Sequence, residues 1–364
     1  MITKAESARR TERRGGLKQD WVRMVDVARL QAWMDEKALG AGPLQNLRPL
    51  GGGTQNIMLS FERAGGSYVL RLPPSHRSRD GGETIKREAR ILAAIADENV
   101  PHAQFIAACF DASVLGAAFI ITRKVDGFNA AEGLPTLHAH DRDVRRRMGF
   151  ALLDGLVKLG AVDHVALGLG DVGRVEGFLE RQVGRWRREL DSYAAHDAWP
   201  GVRTLPAVGP VADWLETHRP TRFTPGIMHG DFHIANVMFR TDGPELAAIL
   251  DWEMATIGDP LLDLGWLLAT WPDASGAALA GPAVVPWDGF PAAAELIARY
   301  AETADRSVTN LGWYQVLACY KLAIVLEGTF ARACAGKAEK DIGLKLHEGA
   351  IRLLARANEL VEFG

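Results

Sequence analysis

Cysteine is scarce in this chain of 364 residues: Cys109, Cys319 and Cys334 stand far apart and form no CxxC spacing. That excludes a disulfide framework or a cysteine zinc site, and it leads us to expect reduced thiols in a cytoplasmic protein. An excess of one charge is missing as well. Lysine plus arginine number 42 and aspartate plus glutamate 45, a formal net charge of −3, so nucleic acid is not expected as a partner. Nor does any apolar run reach the roughly 18 residues that a membrane span requires. "LGWLLATW" ends at Pro272, and "CYKLAIVLEG" is interrupted by Lys321 and Glu327. Residues 1–20 carry Lys4, Arg9, Arg10, Arg13, Arg14 and Lys18 among three acids and no apolar core. They read as a disordered basic tail rather than a signal peptide.

What is present is a globular composition, 48% hydrophobic and 24% charged, on a chain longer than one ordinary domain. A helical segment near Val22 to Lys37 precedes "LGGGTQN", and two alternating runs follow. In "IMLSFE" the residues Ile57, Leu59 and Phe61 share a face; in "SYVLRL" Tyr68, Leu70 and Leu72 do. With "RAGG" between them, the pair predicts an antiparallel hairpin. "GGETIKREARILAAIADENV" has helical period, and "AAFIIT" is another strand leading into "TRKVDG". The expected organisation is a small lobe over residues 21–125, antiparallel sheet plus one helix, and a mostly helical lobe over residues 126–364. Within the second lobe "NVMFRTDGPELAAILDWE" predicts another hairpin, and "ALAGPAVVPWDGFP" an irregular loop.

That second hairpin carries the chemistry. Asn236 starts its first strand, Asp251 ends its second, and their midpoint falls in the turn signal "TDGPEL". Residues equidistant from a hairpin turn face each other, so the two are expected side by side, with Asp231 in the loop before them. One carboxylate and one amide oxygen suit magnesium, which keeps several waters, and a further carboxylate suits a base toward a hydroxyl. In the first lobe, Gly52, Gly53, Thr54, Gln55 and Asn56 form a loop whose backbone N–H groups suit phosphate. Glu88 lies on the apolar stripe of its helix and needs a cation, for which Arg71 in the neighbouring strand is the candidate.

The order glycine loop, basic strand residue, inward helix Glu, D-x-x-x-x-N and strand-ending Asp follows the protein-kinase signature. "HGDFHIAN" and "LDWEMATIGDPLLDLGWLL" resemble the aminoglycoside phosphotransferase family of small-molecule kinases. More narrowly, "YVLRLPP", "GLGDVGRVEGFLERQVGRW" and "GDPLLDLGWLL" are similar to the kinase-like part of acyl-CoA dehydrogenase family proteins and their free-standing bacterial relatives. The resemblance runs from about Leu44 to Leu354. It implies a bilobal α+β protein-kinase-like fold and ATP- and magnesium-dependent transfer to a small-molecule hydroxyl. By position it makes Asp231 the catalytic residue, Asn236 and Asp251 the magnesium ligands, and Arg71 with Glu88 the phosphate grip. Thr122, Arg123 and Lys124 become hinge residues whose backbone faces the nucleotide base, while His229 and Asp263 brace the catalytic loop. One departure is Arg71, where the wider family has lysine.

Two other classes are open on the residues alone. His229 and His233 are four apart, a helical zinc spacing, and Arg71 in place of lysine is what an inactive pseudokinase would carry. For the acceptor, Asp251 to Asn310 holds nine acids and only Arg299 and Arg306 as bases. Asp273, Asp288, Glu295, Glu302 and Asp305 would draw a cation, which ranks amine-bearing alcohols slightly ahead of hydroxyacyl compounds.

Overall fold

The computed structural model describes residues 25–50, 56–73, 78–281 and 283–363, and the chain divides into two compact units. The first reaches Asp97 and resumes at His102–Val125; the second takes Glu98–Pro101 and everything from Asp126. The basic tail expected at residues 1–20 lies outside the described residues.

The first unit contains α1 (Val27–Glu36), β1 (Gln45–Pro49), β2 (Ile57–Arg63), β3 (Gly66–Leu72), α2 (Ser78–Ala94), β4 (Phe105–Cys109), α3 (Ala112–Leu115) and β5 (Phe119–Arg123). Its five strands form one antiparallel sheet in the order β1-β2-β3-β5-β4. Strand alternation sends the two sides of each strand to different helices. Leu59, Phe61, Tyr68, Leu70, Leu72, Phe119 and Ile121 pack with Leu30, Trp33 and Met34 of α1. Ile120, from the opposite side of β5, packs with Ile85 and Ala89 of α2. Arg71 pairs with Ile120 in the sheet register and so faces the α2 side.

Several boundaries differ from the sequence expectations. Strands β1 and β4 are additional, and α2 starts at Ser78 and ends at Ala94 instead of running on to Val100. Pro101 bars only Val100 from the helix; nearer the observed end, Asp97 and Asn99 are poor helix formers that favour the turn seen from Ile95 on.

The second unit contains α4 (Thr136–His140), α5 (Arg142–Ala161), α6 (Glu180–Ser192), α7 (Val208–Thr217), β6 (Gly226–Met228), β7 (Val237–Phe239), β8 (Leu246–Ile249), β9 (Thr256–Gly258), α8 (Leu261–Thr270), α9 (Ala293–Thr303), α10 (Leu311–Cys334) and α11 (Lys340–Phe363). Strand β6 pairs with β9 and β7 with β8, both antiparallel. These two ribbons sit among helices, and the described residues within 278–291 form neither helix nor strand. Among the described residues no helix is long and apolar enough to cross a membrane.

Candidate active site

The loop from His229 to Asn236 leaves β6 with a buried root. Met228 and His229 are buried, and Gly230 takes φ +85°, where a Cβ would stand 2.7 Å from the Met254 carbonyl. Only glycine suits both the backbone angle and that approach. Asp263, in the first turn of α8 and 1% exposed, accepts from the amides of His229 (2.5 Å) and Gly230 (2.8 Å). Burial pushes its carboxyl up, while His229 and these two amides pull it back. The His229 ring spans the loop: Nε2 meets the Leu250 carbonyl at 2.7 Å, and Nδ1 accepts from the Asp231 amide at 3.3 Å. That pairing needs the neutral ring, and burial lowers its pKa.

Asp231 is then displayed by a fixed frame. Its Oδ1 accepts from Trp266 Nε1 at 2.8 Å, and its Oδ2 accepts from Asn236 Nδ2 at 2.9 Å. The Asn236 amide also donates to the Asp231 backbone carbonyl at 2.9 Å, tying the two ends of D-x-x-x-x-N together. Burial alone would raise the Asp231 carboxyl, but the hydrogen bond and charge of His233, with Lys321 behind, hold it below the ordinary carboxylate range. Lys321 Nζ donates to the Gly230 carbonyl at 2.9 Å and lies 4.1 Å from the centre of the Trp266 ring.

The hairpin register departs from the symmetric expectation. Val237 faces Ile249 and Met238 faces Ala248, but Phe239 faces Leu246, so Ala247 is an extra residue in β8. The turn is centred at Asp242–Gly243, one residue before the expected Gly243–Pro244, as the Arg240 amide donating to the Glu245 carbonyl also shows. That alone would offset the partner by two residues, and the bulge recovers one of them. Asn236 consequently stands opposite Leu250, whose amide donates to its carbonyl at 2.8 Å, and Asp251 lies one residue beyond. Asp251 has φ 62° and ψ 61° and heads a short 3₁₀ turn, Trp252–Met254. The left-handed backbone reverses the chain at this carboxylate. Asn236 likewise ends a 3₁₀ turn, Ile234–Asn236, instead of opening a strand.

In the first unit Arg71 and Glu88 are both buried, and Arg71 Nη1 donates to Glu88 Oε1 at 2.6 Å. Thr122 pairs with Val69 and Phe105 inside the sheet. The amides of Arg123 and Lys124 donate to the carbonyls of Gln104 (2.8 Å) and Ser67 (2.9 Å), and the Arg123 guanidinium lies over Tyr68. Those two N–H groups are therefore taken by the sheet and are not open to a base. Of the glycine loop, Gly52, Gly53, Thr54 and Gln55 lie outside the described residues; Asn56 directly precedes β2.

The acidic field expected around Asp273 to Asp305 is largely tied down. Asp273 accepts from Ser275 and Ala277, Asp288 pairs with Arg142 and Arg145, and Glu295 pairs with Arg146 and caps Ala292. These carboxylates hold local structure, so they argue little about an acceptor. A small cavity behind the catalytic loop is lined by Lys321, Arg185 and Asp263 together with Trp186, Met254 and Trp266.

Zinc at His229 and His233 does not fit. Both nitrogens of the His229 ring are engaged, and His233 turns Nδ1 to the Ala235 amide and Nε2 toward Asp231. Among the described residues no group of three or more His, Cys, Asp or Glu is placed to hold a metal. The Asn236–Asp251 pair fits magnesium better. With the Asn236 NH₂ spent on Asp231, its amide oxygen is the end left for a hard cation, and two protein oxygens suffice where water and phosphate complete the shell.

A five-stranded antiparallel sheet with its helices, followed by a mostly helical unit in which the D-x-x-x-x-N loop and Asp251 flank one hairpin, defines a kinase-like phosphotransferase architecture. The chain belongs to the phosphotransferase enzyme family, which it matches over residues 46–296. Acyl-CoA dehydrogenase family member 11 of Gallus gallus is 30% identical over 83% of this chain, and member 10 of Mus musculus 28% over 82%. The matches occupy 38% and 27% of those relatives' lengths. Among solved structures, a putative aminoglycoside phosphotransferase from Ralstonia eutropha is similar at TM-score 0.77 and 28% identity, covering 93% of this chain and 99% of its own. Aminoglycoside phosphotransferase APH(4)-Ia, crystallised with ADP and hygromycin B, shares the fold at TM-score 0.58 and 15% identity, over 92% of this chain and 98% of its own.

Proposed function

We propose that this chain moves the γ-phosphoryl group of ATP, with magnesium, onto a hydroxyl of a small molecule. The observation that carries this reading is Asp231, held on both oxygens by neutral donors and kept ionised by its surroundings. Such a carboxylate orients the acceptor hydroxyl and takes its proton as the oxygen bonds to the γ-phosphorus and the bond to ADP breaks. Asn236 and Asp251 would hold magnesium, which when bound offsets charge on the phosphates. Arg71, fixed by Glu88, would grip phosphate through its planar fork, and His229 and Asp263 would keep the loop in place. The nucleotide complex of the structural relative supports ATP as donor.

The acceptor has a second reading, a hydroxylated acyl compound bearing negative charge. It is favoured by Asp288 and Glu295 being already paired with arginines, which weakens the acidic field that a cationic acceptor would need. The kinship with acyl-CoA dehydrogenase family members points the same way. A magnesium–ATP consumption screen over aminoglycosides, choline-like alcohols, sugars and hydroxyacyl thioesters separates the classes. Turnover with a cationic acceptor alone would remove the acyl reading, and turnover with none would favour a nucleotide-binding pseudokinase.

A further inference from the structure

We propose that Lys321 is a positioning residue for phosphoryl transfer: with Trp266 it props the catalytic loop from behind and so sets where the Asp231 carboxylate points. The proposal rests on the reading of Asp231 given above.

Lys321 interrupts a buried stretch of α10, between Tyr320 and Leu322. Its ammonium meets the two groups that decide the attitude of Asp231. One is the carbonyl of Gly230, the residue immediately before it, at 2.9 Å. The other is the ring of Trp266, whose Nε1 donates to Asp231 Oδ1 at 2.8 Å. A cation on an indole face is attracted by the ring quadrupole and strengthens the edge N–H as a donor. A second indole, Trp186, lies 5.6 Å away. Filling this space would need only an apolar side chain, since burying an ammonium is costly unless anions compensate.

The charged groups around Lys321 come from three elements. Asp231, with His229 and His233 beside it, lies on the loop, Asp263 on α8 and Arg185 on α6. Burial lowers the ammonium to about 8, with Asp231 and Asp263 pulling it up and Arg185 pushing it further down. The prop is therefore charged at neutral pH and discharges in the mildly alkaline range, where a surface lysine would keep its proton.

The test has two arms. In the first, the Lys321 ammonium is titrated by nitrogen NMR in the wild-type protein and in Asp231→Asn. The expected midpoint is about 8 in the wild type and lower in the variant, which lacks the compensating anion. A midpoint in the ordinary lysine range, or the same midpoint in both proteins, overturns the proposal. The second arm uses whichever acceptor the ATP screen identifies. Wild-type kcat should fall along an alkaline limb near pH 8. Lys321→Met should lower kcat at least about 10-fold with KM for ATP unchanged and should lack that limb. Lys321→Arg should keep most activity and move the limb to higher pH. A Met variant that melts earlier yet retains the wild-type limb would show a role in folding only and would sink the proposal. If the wild type consumes no ATP with any acceptor, the proposed function fails, and the NMR comparison alone decides whether Lys321 and Asp231 are coupled.

Discussion

Asn236 gives its side-chain NH₂ to Asp231 twice, to the backbone carbonyl and to the carboxylate Oδ2, each at 2.9 Å. The two ends of the loop are thereby locked, and the amide oxygen is turned to other use. Because Trp266 holds the second carboxylate oxygen, Asp231 presents lone pairs rather than a mobile side chain.

Asp231→Asn follows directly from that lock. An amide offers one acceptor oxygen and one NH₂, so it can keep the bond from Trp266 or the one from Asn236 in its present form, not both. Phosphoryl transfer should fall about 10²–10⁴-fold, the usual loss for a positioned base. Magnesium–ATP binding should persist, and the partly exposed site should cost only about 1 kcal/mol of stability. Rate measurements beside calorimetric nucleotide titration check this; wild-type turnover in the variant would remove Asp231 from the reaction.

Asp251 occupies the left-handed region at φ 62°, which asparagine tolerates and alanine does not without an added cost of about 1–2 kcal/mol. Asp251→Asn is thus the cleaner removal of its charge. Nucleotide binding should survive without metal but lose its enhancement by magnesium, as titrations with and without the ion would reveal. An undiminished magnesium effect would mean that the cation is held elsewhere.

Much of this arrangement could be read from residue order. The alternation of Leu59 and Phe61 with Tyr68, Leu70 and Leu72 gave the correct buried face, and it sent Arg71 to the side where α2 presents Glu88. Strand β1 was missed because "QNLRP" offers one partly buried apolar residue, Leu47, and its pairing with β2 rests on backbone hydrogen bonds. The hairpin register was missed because the turn centres at Asp242–Gly243 and not at Gly243–Pro244, two placements that the polar run "TDGPEL" allows equally, and the bulge at Ala247 recovers only one of the two residues of offset. Trp266 and Lys321 escaped notice for another reason. They reach the loop only through helix packing, 35 and 91 residues away in the chain. The one available hint was a lysine interrupting an apolar helical run.

Arg71 and Glu88 form a buried pair, the case in which removing one partner strands the other charge. Arg71→Ala should destabilise the protein by about 3–5 kcal/mol and weaken nucleotide binding; Glu88→Gln should do less of both. Arg71→Lys is the more informative substitution. Retained binding would mean that charge alone is required, whereas a large loss in affinity at near-normal stability would show that the planar fork is what meets the phosphates. Melting temperature and nucleotide titration on the same samples separate these outcomes.

His229 links the loop to acid stability. Its Nδ1 accepts from the Asp231 amide, so a proton there would set donor against donor, and burial already holds the ring below the ordinary histidine pKa despite the nearby Asp263. The folded state therefore resists a proton that the unfolded chain takes up at about pH 6.5. Working the sign through, the unfolded state binds more protons between the lowered and the ordinary pKa, so stability falls as pH drops through that window and is unaffected above it. The steepest slope from this one group is about 1.4 kcal/mol per pH unit. His229→Gln can still donate to Leu250 but cannot titrate. It should be less stable than the wild type at neutral pH and lose less on acidification. Urea unfolding at pH values above and below the histidine range measures both quantities, and the difference between the two proteins cancels the other histidines. Equal pH slopes in wild type and variant would mean that His229 is protonated in the folded protein, and the neutral bridge from Leu250 to Asp231 would then be wrong.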